Sequence, residues 1–134
     1  NAGGDGSGVH VTDGAVVTTT NTIAVDHLAA ITVATGSTVN VISTLWGDGD
    51  WANGFDLGGG GAISAVGPHV YAQPGFRDPG TGDYHLAPGS AAVDVGIDAG
   101  VMDDIDGGTR PWGDGPDLGA DELVAIFLPL VLRE

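Results

Sequence analysis

A repeat constrains this chain more than any other feature of it. Residues 8–23, GVHVTDGAVVTTTNTI, lie over residues 30–45, AITVATGSTVNVISTL, at a constant offset of 22. Val11 falls on Val33, Gly14 on Gly36, Val17 on Val39 and Thr22 on Thr44, while Val9 meets Ile31 and Ile23 meets Leu45. Each copy is a run rich in β-branched residues, a glycine, and a second such run. The alternation in VHV and ITV gives strand, turn, strand. Units of this kind without helical periodicity stack as a β-solenoid, with equivalent residues forming ladders. Val11/Val33 and Val17/Val39 would then point inward and most Thr and Asn outward. The competing reading is two unrelated hairpins.

After Leu45 the register is interrupted by WGDGDWANGFDLGGGG, which has loop composition. Trp46, Trp51 and Phe55 stand there among Asp and Gly. They are candidates either to stack on sugar rings or to cover an open side of the coil. AISAV at 62–66 resumes strand composition as a shorter third unit. No long helical pattern occurs.

Charge narrows the function classes. Eighteen acids face three arginines and no lysine, for a formal net charge of −15. Nucleic-acid binding through phosphates needs a basic surface, and anionic membranes are disfavoured for the same reason. Divalent cations remain candidate partners. There is no cysteine, so no disulfide forms. The opening NAGGDGSG, with neither an initiator Met nor a signal peptide, reads as a processed or truncated product. So few tryptic sites suit life outside the cell.

Beyond Val70 the composition turns to Gly, Asp and Pro. The ordered motifs PGFRDP, GDYHLAPGSAAVDVG, DDIDGGTRP and DLGADE run from residue 71 to residue 122. In that order they resemble the C-terminal end of secreted bacterial right-handed parallel β-helix proteins of the pectate-lyase-like superfamily. The tail FLPLVLR resembles a short segment carried by some such surface proteins. The resemblance implies an all-β fold: a short right-handed parallel β-helix with coils of about 22 residues, a C-terminal capping segment and a terminal apolar strand. Residues 1–70 would be coils with a side loop at 46–61, residues 71–122 the cap, and residues 123–134 the tail strand.

A bottom-up reading of the second half also fits a cap. Tyr84, Leu86, Ala91, Val93, Val95 and Ile97 are candidates to cover the end of the last coil. Arg110 is the sole cation between Arg77 and Arg133. Its guanidinium suits a bidentate pair with Asp106, Asp117 or Glu122, a structural role.

The chemistry-bearing patterns are sparse. DDIDG places Asp103, Asp104 and Asp106 together as calcium candidates, without the spacing of an EF-hand loop. A polysaccharide lyase needs a basic residue beside its substrate, and lysine is absent. A glycosidase needs two carboxylates across a groove, which neighbours on a turn do not provide. His85 in DYHL is a candidate base or a half-buried cap residue. His10, His27 and His69 lack metal-ligand spacing. The expectation is therefore no enzyme activity and no obligatory cofactor.

The tail LVAIFLPLVLRE has ten consecutive residues, Leu123 to Leu132, without a charged or polar side chain. A transmembrane helix needs about 20, and Pro129 interrupts a helix. Leu123, Val124, Ile126, Phe127, Leu128, Leu130, Val131 and Leu132 read instead as a strand buried on both faces, donated to a neighbouring subunit. The sequence thus suggests an extracellular or cell-surface structural protein, a homo-oligomer or filament assembling head to tail. The alternative is part of a secreted polysaccharide-binding or polysaccharide-degrading protein, with Trp46 and Trp51 as sugar contacts.

Overall fold

The computed structural model describes residues 7–124. Eight strands form: β1 (Ser7–Val11), β2 (Val16–Ala24), β3 (Ala29–Val33), β4 (Thr38–Trp46), β5 (Phe55–Gly59), β6 (Ala62–Tyr71), β7 (Phe76–Asp78) and β8 (Asp83–Leu86). They fall into three small sheets: parallel β1-β3-β5, parallel β2-β4-β6, and an antiparallel β7-β8 pair.

The offset of 22 is visible in the pairing. Val9 lies beside Ile31, Val11 beside Val33, Val17 beside Val39 and Ile23 beside Leu45. The expected right-handed parallel β-helix is nevertheless corrected: the strands gather in three separate sheets, and no solenoid is formed. The physical reason lies in the third unit and the segment beyond it. Gly58–Gly61 replaces side chains with bare backbone. A Cβ on Gly59 would come within 2.2 Å of the Val33 carbonyl oxygen, and its φ of +110° suits glycine. Beyond Tyr71 the chain leaves the parallel ladder for one antiparallel pair and a long series of turns.

The long strands of the second sheet each contain one left-handed residue: Asn21 in β2, Ser43 in β4 and Gly67 in β6, with φ of 50°, 55° and 86°. One such residue shifts the side-chain alternation by one place. Before it, Val17, Val39 and Val41 face the sheet of β1-β3-β5, where they pack with Val11, Ile31 and Val33. After it, Ala24 and Trp46 face that same core, while Ile23, Leu45 and Val70 turn to the opposite side. β2 and β4 therefore each serve two cores, while β6 reaches only the second.

The second core holds Leu45, Leu86, Ala92 and Leu118, with Ala91, Val93, Val95 and Leu123 around them. Residues expected to cap the end of the stack thus lie along its side, against the Ile23–Leu45–Val70 ladder. Asn21 stitches the seam: its side chain donates to the Ile97 carbonyl at 2.7 Å and accepts from the Ile97 amide at 2.9 Å. The Asn21 carbonyl accepts from the Gly119 amide at 2.7 Å. Replacing Asn21 with Ala loses this amide pairing and the left-handed preference together. The expected destabilisation is about 2–3 kcal/mol, read from the urea midpoint at unchanged slope.

Acidic residues organise the turns of the second half by accepting from backbone N–H groups. Asp104 Oδ1 takes the amides of Asp106 and Gly108 at 3.0 and 2.7 Å. Asp94 Oδ1 takes those of Asp114 and Gly115 at 2.9 and 3.1 Å. Asp117, fully buried, takes those of Asp94 and Leu123 at 2.7 and 2.6 Å. Much of the anionic excess is thus structural, each carboxylate satisfying donors that a turn leaves over.

Candidate functional site

Two features stand out as places where another molecule can act: a cleft between the β7-β8 hairpin and the bent ends of the second sheet, and the free edges of the parallel sheets.

The cleft has a volume of about 900 Å³. Its aromatic wall comes from three elements. Trp51 ends a short 3-10 turn, Phe76 opens β7 and Tyr84 lies in β8. Trp51 meets Phe76 edge-on at 5.4 Å and Phe76 meets Tyr84 edge-on at 5.2 Å between centroids. Tyr84 is 56% exposed. Asp26, His27, His85 and Asp121 supply the polar lining.

His85 is clamped. Alternation along β8 sends Leu86 into the second core and leaves His85 at the cleft. Its Nδ1 lies 2.6 Å from Asp83 Oδ1, which also accepts the His85 backbone amide at 3.1 Å. Its Nε2 lies 2.9 Å from Asp106 Oδ2. Asp121, buried, accepts the Leu86 amide at 2.6 Å. Atoms of His85, Asp106 and Asp121 that can ligate a metal lie within 4.8 Å of one another.

The bond to Asp83 raises the His85 pKa above 6.5, with Asp106 adding to it, and the same bond lowers Asp83 below 3.8. The raised imidazole stabilises the fold fully below its unfolded value and loses that contribution as pH rises through its folded value. The lowered carboxyl contributes above its unfolded value and loses that as pH falls through its folded one. The clamp is therefore fully present between the two unfolded-state values, about 3.8 and 6.5, and fades outside them toward the two folded-state ones. In chelated buffer, imidazole NMR should give a His85 midpoint above 6.5, and Asp83→Asn should bring it down. A wild-type midpoint at or below the ordinary value contradicts the clamp.

The other candidate residues are distributed differently from expectation. Trp46 is 1% exposed, packed in the first core with His69 beside it at 6.1 Å, so the expected sugar contact there is corrected. A long strand that switches faces hides its last residue, and nothing in WGDGDW signals that. Of the calcium candidates, Asp104 spends its carboxylate on its own turn. Burial pushes its carboxyl up, but the Gly108 and Asp106 amides outweigh this and hold it below the usual range. Asp103 bridges Thr109 through the backbone. Only Asp106 of that trio joins a ligand group, and its companions there are His85 and Asp121. Sequence reasoning had no spacing signal for this group, because 21 and 15 residues separate its members.

Arg110 is buried and pairs with buried Glu122, Nε to Oε2 at 3.0 Å. It also donates to the carbonyls of Asp117 and Gly119. The Asp117 carboxylate does not meet it, and Asp106 lies with His85 instead. The expected bidentate carboxylate fork is thereby corrected to one carboxylate oxygen and two backbone carbonyls. Glu122 Oε1 is occupied by the Trp112 amide at 2.7 Å, and Oε2 also accepts from the Asp117 amide at 3.0 Å.

The free edges are the second feature. β1 and β5 end one parallel sheet, and β2 and β6 end the other. Exposure follows position in the ladder: central Val39 is fully buried, whereas Ile63 beside it in β6 is 38% exposed. Seven consecutive residues of β6, Ala62 to Pro68, are exposed. Among the described residues, none pairs with the outer edge of β6. Leu123 packs at the margin of the second core and Val124 is exposed. Ile126, Phe127, Leu128, Leu130, Val131 and Leu132, expected in the assembly strand, lie outside the described residues.

No family model matches the chain, and no curated protein or solved structure matches it, so the resemblance to the pectate-lyase-like superfamily gains no support from these comparisons. No described helix is long and apolar enough to cross a membrane.

Proposed function

We propose that this chain is a structural protein of the cell exterior or surface that self-assembles by strand addition, with residues 125–134 of one copy laid along β6 of the next. The observation that carries the proposal is the outer edge of β6, which no described residue pairs with. A ten-residue strand with exposed Ile63 and Val66 is an open template for another chain. The apolar tail matches it in length and has no charge from residue 125 to residue 132. Pro129 lacks an N–H, which suits a strand paired on one side only. Such a contact joins two different surfaces and need not close, so it propagates. The role requires no catalysis.

The net charge of −15 opposes association, so assembly should strengthen as salt rises. Light scattering of the full chain and of residues 1–124 tests the reading. The full chain should form large species and the truncated one remain monomeric, with a synthetic 125–134 peptide binding the truncated form. A monodisperse full-length monomer means the tail folds back on its own subunit or does not pair, and either overturns the proposal.

The aromatic wall favours a second reading, saccharide binding in the cleft. Trp51, Phe76 and Tyr84 offer apolar ring faces beside the polar groups that sugar hydroxyls need. A polysaccharide pull-down, with and without calcium, should then lose retention about tenfold or more on Trp51→Ala. Equal retention of the variant excludes this cleft as the sugar site.

A further inference from the structure

We propose that His85, Asp106 and Asp121 bind a divalent transition-metal ion of the zinc class, with Asp83 orienting the imidazole from behind. Such a site does not rest on assembly, and it lies in the same cleft as the saccharide reading.

The ligand atoms are already gathered. One nitrogen and two carboxylate oxygens lie within 4.8 Å of one another. Around an ion with bonds of about 2.0–2.1 Å, tetrahedral ligands stand about 3.4 Å apart. The His85 Nε2 to Asp106 Oδ2 contact of 2.9 Å would open by roughly half an ångström. Asp106 can make that adjustment because its side chain is 63% exposed on a turn.

The proton on His85 points the same way. Asp83 Oδ1 accepts from the His85 backbone amide and sits 2.6 Å from Nδ1, so Nδ1 carries a hydrogen and donates it. Neutral imidazole then presents a bare lone pair at Nε2, with Asp106 only 2.9 Å away and Asp121 close by. Two electron-rich groups in contact require a cation between or upon them. A metal ion held by Nε2 and the Asp106 carboxylate supplies it. A carboxylate on the remote nitrogen is the arrangement that fixes the tautomer and orientation of metal-binding histidines.

Asp121 adds an independent reason. It is nine-tenths buried, and no described arginine forms a salt bridge with it. The one described hydrogen bond to its carboxylate comes from the Leu86 amide. A buried carboxylate with so little compensation gains from a nearby cation. The cleft supplies room for water at the remaining coordination positions. One imidazole and two carboxylates are too few oxygens for calcium, which takes about six to eight, and suit zinc, cobalt or manganese.

The test uses the full chain, treated with chelator and dialysed, titrated with Co²⁺ followed by visible absorption and with Zn²⁺ followed by calorimetry. One stoichiometric site should appear, with Co²⁺ bands that Zn²⁺ abolishes. His85→Ala and Asp121→Asn should each weaken binding by about 100-fold or more, and Asp83→Asn by about 10–100-fold. Circular dichroism verifies that each variant is folded, and Asp13→Asn, exposed on the turn between β1 and β2 and outside the cleft lining, serves as control. Equal binding by wild type, His85→Ala and Asp121→Asn would mean diffuse attraction to an acidic surface and overturns the site. So does the absence of a stoichiometric component in the wild type.

Discussion

Arg110→Ala should lower the unfolding free energy by roughly 3–5 kcal/mol, the largest effect expected of any charged residue in the chain. The guanidinium is buried and joins Glu122 to the carbonyls of Asp117 and Gly119. Removing it strands a buried carboxylate and two carbonyls at once. Glu122 in turn holds the amides of Trp112 and Asp117, so the loss spreads through the turns that close the second core. Arg110→Lys keeps the charge without the fork and should recover less than half of the deficit. Denaturant unfolding reads both effects. A midpoint for Arg110→Ala within experimental error of wild type would show that the pair is dispensable.

Trp46→Ala should be comparably severe, at about 3–5 kcal/mol. The side chain is buried in the first core, where Ala24, Ala30 and Val41 belong to the same cluster, and His69 faces its ring. Its removal opens a cavity between two sheets joined mainly by side-chain packing. Trp51→Ala offers the contrast, because Trp51 is half-buried at the cleft and touches Phe76. It should cost much less stability while altering the cleft. Equal melting temperatures for the two variants would refute the assignment of one tryptophan to the core and the other to the cleft.

Much of the parallel pairing was legible in the sequence. The 22-residue offset gives the register of β1 on β3 and of β2 on β4, since equivalent β-branched residues stack best on themselves. The switch of faces at Asn21 and Ser43 was not legible, because a single left-handed residue leaves no periodic trace and serine is an uncommon choice for it. That switch hides Trp46, turns Leu45 into the second core and lets residues 71–122 pack along the side of the sheet instead of over its end. It also explains why stacked coils were the wrong expectation: the repeat governs pairing within sheets, while bends and glycine-rich turns decide how the sheets are arranged. Arg110 was recognisable as structural because it stands alone among acids. Its partner set was not, since a guanidinium donates to carbonyls as readily as to carboxylates. The His85 group was invisible for a simpler reason: its members come together only through the fold.

Self-assembly through β6 stands or falls with protection of its outer edge, which amide hydrogen exchange measures directly. In the full chain at assembling concentration, the outward-facing amides between Ala62 and Tyr71 should exchange markedly more slowly than in residues 1–124, while those of central strand β4 should be equally protected in both. Identical exchange along β6 in the assembled full chain and the truncated monomer would contradict strand addition at this edge.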